Sequence, residues 1–139
     1  MKRSTGIFVL LLMLSLNLSA QSISTVTKNH YVVSTTQIPQ LQPIILTALA
    51  LQEEDDENFR DFQIVFYGPN VLELTDNEKM ETYTRQAKAA GVNILVCRIS
   101  IDRLGIDPKD MHGYIKMVDH AYTHIIQLQK NQNYYSLQL

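Results

Sequence analysis

Apolar residues along the chain fall into two spacings, and the change from one to the other marks out its elements. His30 to Thr36 (HYVVSTT) has the β-branched content of a first strand. Asp61 to Tyr67 (DFQIVFY) is apolar on both faces after Asp61, as in a strand covered on two sides of a parallel sheet. Val92 to Arg98 is a third such run, and Asn133 to Leu139 alternates like a final strand. Between them the spacing becomes helical. Leu41, Ile44, Ile45, Ala48 and Leu51 (or Leu49) predict a helix from about Gln40 to Gln52, and Pro43 in its first turn moves the start towards residue 42. Met80, Tyr83, Ala87 and Ala90 predict a second helix, opened by a capping box at Thr75 to Glu78 and followed by Gly91. Met111, Ile115, Val118, Tyr122 and Ile125 predict a third, capped by Asp107, with Pro108 at its first position and its end near Lys130. The order β-α-β-α-β-α-β predicts a three-layer α/β domain, with a mostly parallel sheet of four to five strands and helices on both faces.

The first twenty residues stand apart from this alternation. Lys2 and Arg3 precede an apolar run from Ile7 to Leu16, and Leu18-Ser19-Ala20 offers a small-residue cleavage site. These features predict a signal peptide over 1–20 and a periplasmic or secreted protein, with a lead-in segment over 21–29 and a single domain over 30–139. A membrane anchor is the alternative, but the run falls short of the ~20 apolar residues a spanning helix needs. Cleavage removes two of the 12 basic residues and none of the 14 acidic ones, for a formal charge of −4. A mildly acidic domain with no basic stripe argues against nucleic acid as a partner. After cleavage nothing is left to hold the chain in a membrane.

With one cysteine, no disulfide can form within the chain. A solitary thiol sent to an oxidising compartment is expected to be buried, paired with another molecule, or kept for its reactivity. It is Cys97, near the exit of the third expected strand and next to Arg98. In open α/β sheets ligands sit outside the carboxyl ends of the strands. Thr36, the turn Gly68-Pro69-Asn70 after Tyr67, and Cys97 all belong at that edge, with Arg98 and Ser100 just beyond the cysteine. The backbone amides of the turn are candidates to receive an anion or a polarised sulfur, and Arg103 is a candidate to approach the thiol from the following loop. A cation or helix N-terminus near a cysteine favours its thiolate, the nucleophilic form. Such an arrangement suits a persulfide carrier. The competing expectation is a structural thiol, because free cysteine commonly serves as a small buried hydrophobe.

The stretch ILVCRISIDRLGID resembles the cysteine strand and loop of the DsrE family of small sulfur-relay proteins. FQIVFYGPNVLEL is similar to that family's second strand and glycine turn, and the tail from Ile126 through Tyr135 resembles its common ending. The resemblance implies a compact parallel α/β fold, assembly into homo-oligomers (trimers or hexamers), and a persulfide carried on the cysteine at the place of Cys97. A protein bearing a thiol is the partner this implies. No cofactor and no metal is implied.

Other polar features carry less. Glu53 to Glu57 (EEDDE) is expected as a solvated loop, since acids at a helix C-terminus oppose the macrodipole, and it lacks the ligand spacing of a calcium loop. His120 and His124, four apart, are expected on the outer face of the third helix with Met117 on the adjoining flank, solvated or at an interface. No partner is assignable to His30 or His112. Of Tyr134 and Tyr135, one is expected in the core and the other is a candidate oligomer contact. No general base is visible beside Cys97, so a carrier through Cys97 and Arg103 is expected in preference to a turnover enzyme. The alternative is an oligomeric module that binds a small ligand or a protein and has an inert cysteine.

Overall fold

A computed structural model describes residues 27–139. The expected signal peptide and most of the lead-in lie outside the described residues. Five strands form one sheet: β1 (Asn29–Thr35), β2 (Phe59–Phe66), β3 (Asn93–Cys97), β4 (Lys116–Val118) and β5 (Tyr135–Gln138). Their spatial order is β4-β3-β2-β1-β5, and every neighbouring pair is parallel.

Four helices make the crossovers: α1 (Leu41–Asp55), α2 (Asn77–Ala89), α3 (Arg98–Arg103) and α4 (Ala121–Gln132). The first three connections step in one direction along the sheet, and the last runs back from one edge to the other. Right-handed crossovers that keep one direction put their helices on one face, and a reversal of direction puts the next helix on the opposite face. The two cores follow that division. Tyr31, Val33, Phe62, Ile64, Phe66, Ile94 and Val96 pack with α1, α2 and Ile101 of α3. On the other face Val32, Val65, Leu95 and Cys97 pack beneath Ala121 and Leu128 of α4. Strand alternation therefore sends Cys97 to the α4 face with Leu95, two residues back.

The first two helices form much as their periodicity predicts, with corrections at their ends. Leu41, Ile44, Ile45 and Ala48 are buried, but α1 runs past Gln52 into the acidic stretch and ends at Asp55. The Asp55 carboxylate accepts hydrogen bonds from Asn29 Nδ2 (2.8 Å) and Tyr31 Oη (2.6 Å), which offset its unfavourable place at a helix C-terminus. Burial first, and then that bond to Asp55, raise the Tyr31 phenol above its ordinary range. The chain leaves the helix at Asp56, whose φ is +49°. In α2 the cap is Asp76, which accepts from Lys79 N at 3.0 Å, while the Thr75 hydroxyl turns back to Leu72 O.

The expected third helix is not formed as one element. Asp107 does accept from Lys109 N, but it caps a single 3-10 turn, Pro108–Asp110. The chain then forms the short strand β4 and becomes helical again only at Ala121. The apolar stripe that suggested one helix is divided between faces. Met111 and Ile115 are buried in the α1/α2 core, Val118 and Ile125 pack on the α4 side, and Tyr122 is exposed. A glycine in a helix interior costs about 1 kcal/mol relative to alanine. Gly113 stands in the second turn of the expected helix, while a strand over Lys116–Val118 gives β3 a hydrogen-bonded neighbour.

A polar layer lies where the strands begin on the α4 face. Asp61 accepts from Gln63 Nε2 (2.7 Å), Asn93 Nδ2 (3.2 Å) and the Tyr134 hydroxyl. Gln63 Oε1 meets His124 Nε2 at 2.8 Å, so His124 faces the sheet and is not solvated on an outer surface. Tyr134 is buried with the His30 ring against it, and Tyr135 is exposed. His112 bridges Thr84 Oγ1 and Glu81 Oε2, both at 3.3 Å. Among the described residues no helix is long and apolar enough to cross a membrane.

Candidate functional site

β3 ends at Cys97, which is 4% exposed, and the chain turns directly into α3. The sulfur lies under the start of α4, where the first helical amide, Ala121 N–H, donates to Cys97 Sγ at 3.4 Å. An amide at a helix N-terminus carries partial positive charge, which complements the negative charge of a thiolate. One side of the sulfur opens on a cavity of about 300 Å³ at the carboxyl ends of β2 and β3.

The cavity gathers residues from four segments. Tyr67 and Gly68 come from the end of β2, and Ile99, Ser100 and Arg103 from α3. His120, Ala121 and Tyr122 come from the start of α4. Tyr67 and Tyr122 meet edge to face with ring centroids 5.2 Å apart, and Tyr122 and His120 do so at 5.6 Å, giving the cavity an aromatic wall. Gln138 Nε2 of β5 donates to Tyr67 Oη at 2.9 Å and ties that wall to the edge of the sheet. Burial first, and the neighbouring Tyr122 next, hold the Tyr67 phenol above its ordinary range, so it is neutral at physiological pH. A second hollow of about 250 Å³, lined by Pro69 and Leu104, shares Gly68, Ile99, Ser100 and Arg103 with the first.

The residues expected at this edge have different places in it. Cys97, Arg103, Tyr67, Gly68 and Ser100 line one cavity, and Pro69 lines the adjoining hollow. Arg103 approaches from the last turn of α3 and not from a loop, and it has no ion-pair partner among the described residues. Thr36 and Asn70 do not line the cavity. They lie beside Gly68, with Asn70 Nδ2 donating to Thr36 O at 2.9 Å. Arg98 also lies off the cavity, because its Nε reaches Asp119 Oδ1 (3.5 Å) in the loop before α4. The Gly68 amide, expected to be open to an anion, donates to Ser100 Oγ at 3.0 Å. The turn therefore shapes the cavity without offering that N–H to a ligand.

Four cavity residues were missed by sequence reasoning, Ile99, Ala121, Tyr122 and His120, and of these His120 carries titratable chemistry beside the thiol. Read as an outward position in a continuous helix, it stands instead at the N-cap of α4 in extended conformation, with φ −144° and ψ 118°. Gly113 is the local signal against a continuous helix. Nothing in the sequence pairs residue 120 with residue 97. A wider depression of about 580 Å³, lined by Gln42, Asp76 and Lys79 among others, contains neither cysteine nor histidine. Among the described residues no cluster of three or more His, Cys, Asp or Glu side chains is arranged to hold a metal.

These features define an open, all-parallel α/β domain with one thiol facing a small cavity beyond the strand ends. The chain belongs to the DsrE/DsrF-like family, whose model matches residues 29–137, a family associated with sulfur relay. Solved structures share its fold at low identity. A protein of unknown function from Methanobacterium thermoautotrophicum superposes with a TM-score of 0.64 at 16% identity, over 81% of this chain and 98% of that one. The ychN protein from E. coli gives 0.59 at 14% identity, over 81% and 99%. A conserved protein of unknown function from Bacteroides thetaiotaomicron gives 0.58 at 12% identity, over 80% and 95%. No curated protein matches the chain significantly.

Proposed function

We propose that this protein is an exported, homo-oligomeric sulfur carrier that holds a sulfane sulfur on Cys97. The observation that carries the reading is the setting of the Cys97 sulfur, beneath the first amide of α4 and open to a cavity that Arg103 also lines. In the transfer step the Cys97 thiolate attacks the outer sulfur of a donor persulfide, R–S–SH. A new S–S bond forms, the donor S–S bond breaks, and its electron pair leaves on R–S⁻. Cys97–S–SH remains, with no net oxidation. Attack by a partner protein's thiolate on the outer sulfur then discharges it. Arg103 offers positive charge to the anionic donor or leaving group. Export is supported by the basic, apolar and small-residue succession over residues 2–20.

The near-complete burial of Cys97 among Val65, Leu95 and Ala121 favours a second reading, an oligomeric binding module with a structural thiol. Intact-mass measurement after incubation with polysulfide separates the two. The carrier gains whole sulfur atoms, and Cys97→Ser gains none. Failure of native Cys97 to gain sulfur or to react with a small alkylating reagent overturns the carrier reading.

A further inference from the structure

The start of α4 places a histidine beside the thiol. Ala121 N lies 3.4 Å from Cys97 Sγ. Standard backbone dimensions therefore put the Cα of the preceding residue, His120, within about 6 Å of that sulfur. His120 lines the same cavity as the thiol, and its ring packs edge to face on Tyr122, another residue of the cavity wall. Its Nδ1 makes a 2.7 Å hydrogen bond with Thr123 Oγ1, one turn into α4, and Nε2 has no hydrogen-bond partner among the described residues. A hydroxyl has one donor hydrogen and two acceptor lone pairs. When Thr123 Oγ1 accepts from Nδ1–H, the contact is the same for the neutral and the charged imidazole, and it orients the ring with Nε2 as the open nitrogen.

We infer that His120 is the proton acceptor and donor for Cys97. This rests on the carrier reading for its chemical purpose, but the His120–Cys97 pairing is testable without it. Nε2 takes the proton from Cys97 S–H, directly or through one water. The sulfur then attacks the outer sulfur of R–S–SH, the donor S–S bond breaks, and R–S⁻ takes the proton from the imidazolium. The net change is Cys97–SH plus R–S–SH to Cys97–S–SH plus R–SH, balanced in atoms, charge and electrons. Discharge to a partner thiol runs the same proton path in reverse.

Several other groups share the surroundings of His120, and the test must separate their titration from its own. They are Tyr67 at the end of β2, Arg98 and Arg103 on α3, Asp119 in the preceding loop, and Tyr122 and His124 on α4. Thr123 is exposed and His120 half-buried, so substitution of either leaves the core intact.

The experiment measures the rate of Cys97 alkylation by iodoacetamide against pH in the full-length native protein, for wild type, His120→Gln, His120→Ala and Thr123→Val. The expected result is a rate in both His120 variants about tenfold or more below wild type on the acidic side of neutrality. The two profiles converge at alkaline pH, where solvent removes the thiol proton. Added imidazole restores the His120→Ala rate, which a merely structural role for His120 does not predict. Thr123→Val displaces the profile without abolishing it. Superimposable profiles for wild type and His120→Gln, or no rescue of His120→Ala by imidazole, overturn the inference. Sulfur uptake from polysulfide is followed in parallel by intact mass. A His120-dependent profile without uptake supports the pairing and removes the carrier function. Uptake with a His120-independent profile removes the pairing and leaves the carrier.

Discussion

At Gly68 a backbone conformation and a steric contact make the same demand. Its φ of +86° with ψ of −163° belongs to a region that is essentially glycine-only. A Cβ placed there would meet Thr36 Cγ2 at 3.3 Å. The residue also donates to Ser100 Oγ, so strain at this point passes straight to the cavity wall. Gly68→Ala is expected to destabilise the protein by about 1–3 kcal/mol, measured by urea denaturation, and to change the alkylation rate of Cys97. The need for a glycine was legible in Gly-Pro-Asn following an apolar strand. The occupation of its amide was not, because Ser100 lies 32 residues away and joins it only through the pairing of β2 with β3.

Among the elements, α4 is coupled to pH through His124. It covers one face of the sheet alone, through Ala121 and Leu128, and reaches the polar layer through His124 and Gln63. Burial lowers the His124 pKa below the ordinary imidazole value of 6.5, with Asp61 opposing the shift. The unfolded chain therefore binds that proton more readily than the folded one. The contribution of His124 to stability is intact above about pH 6.5 and declines as the pH falls through that value. His124→Gln is expected to flatten this part of the stability–pH curve, read from urea midpoints between pH 7.5 and 5.5. An unchanged slope would show that another group sets the dependence. α1 and α2 were legible because each packs a single stripe on a single core. Residues 98–130 were misread because Met111 and Ile115 serve one core, and Val118 and Ile125 serve the other, at spacings that imitate one helix.

For the whole molecule the two sheet edges differ. β4 is three residues long and begins with Lys116, both features that discourage edge-to-edge association. β5 has no charged side chain and leaves Tyr135 and Leu137 exposed, with Leu139 just beyond its end. On the proposed homo-oligomeric reading the β5 edge is the contact. Leu137→Asp is expected to lower the mass measured by light scattering to that of a smaller assembly or a monomer. A wild-type protein that is monomeric at micromolar concentration would remove this part of the proposal.

The first two strand–helix units, the parallel sheet and the position of Cys97 at a strand exit were present in the linear chain, whereas α3, β4 and the late start of α4 were not. The legible parts follow from spacing, turn residues and the limited ways in which successive βαβ units connect. The linear order says nothing about which connection reverses direction. That reversal sends α4 to the second face, splits the stripe from Met111 to Ile125 between two cores, and sets the first amide of a helix on the sulfur. It also brings His120 from a supposed outer surface into the cavity of a residue 23 positions earlier. Local periodicity depends on neighbours three or four residues away, whereas the surroundings of Cys97 are made by chain segments that meet only when the sheet assembles.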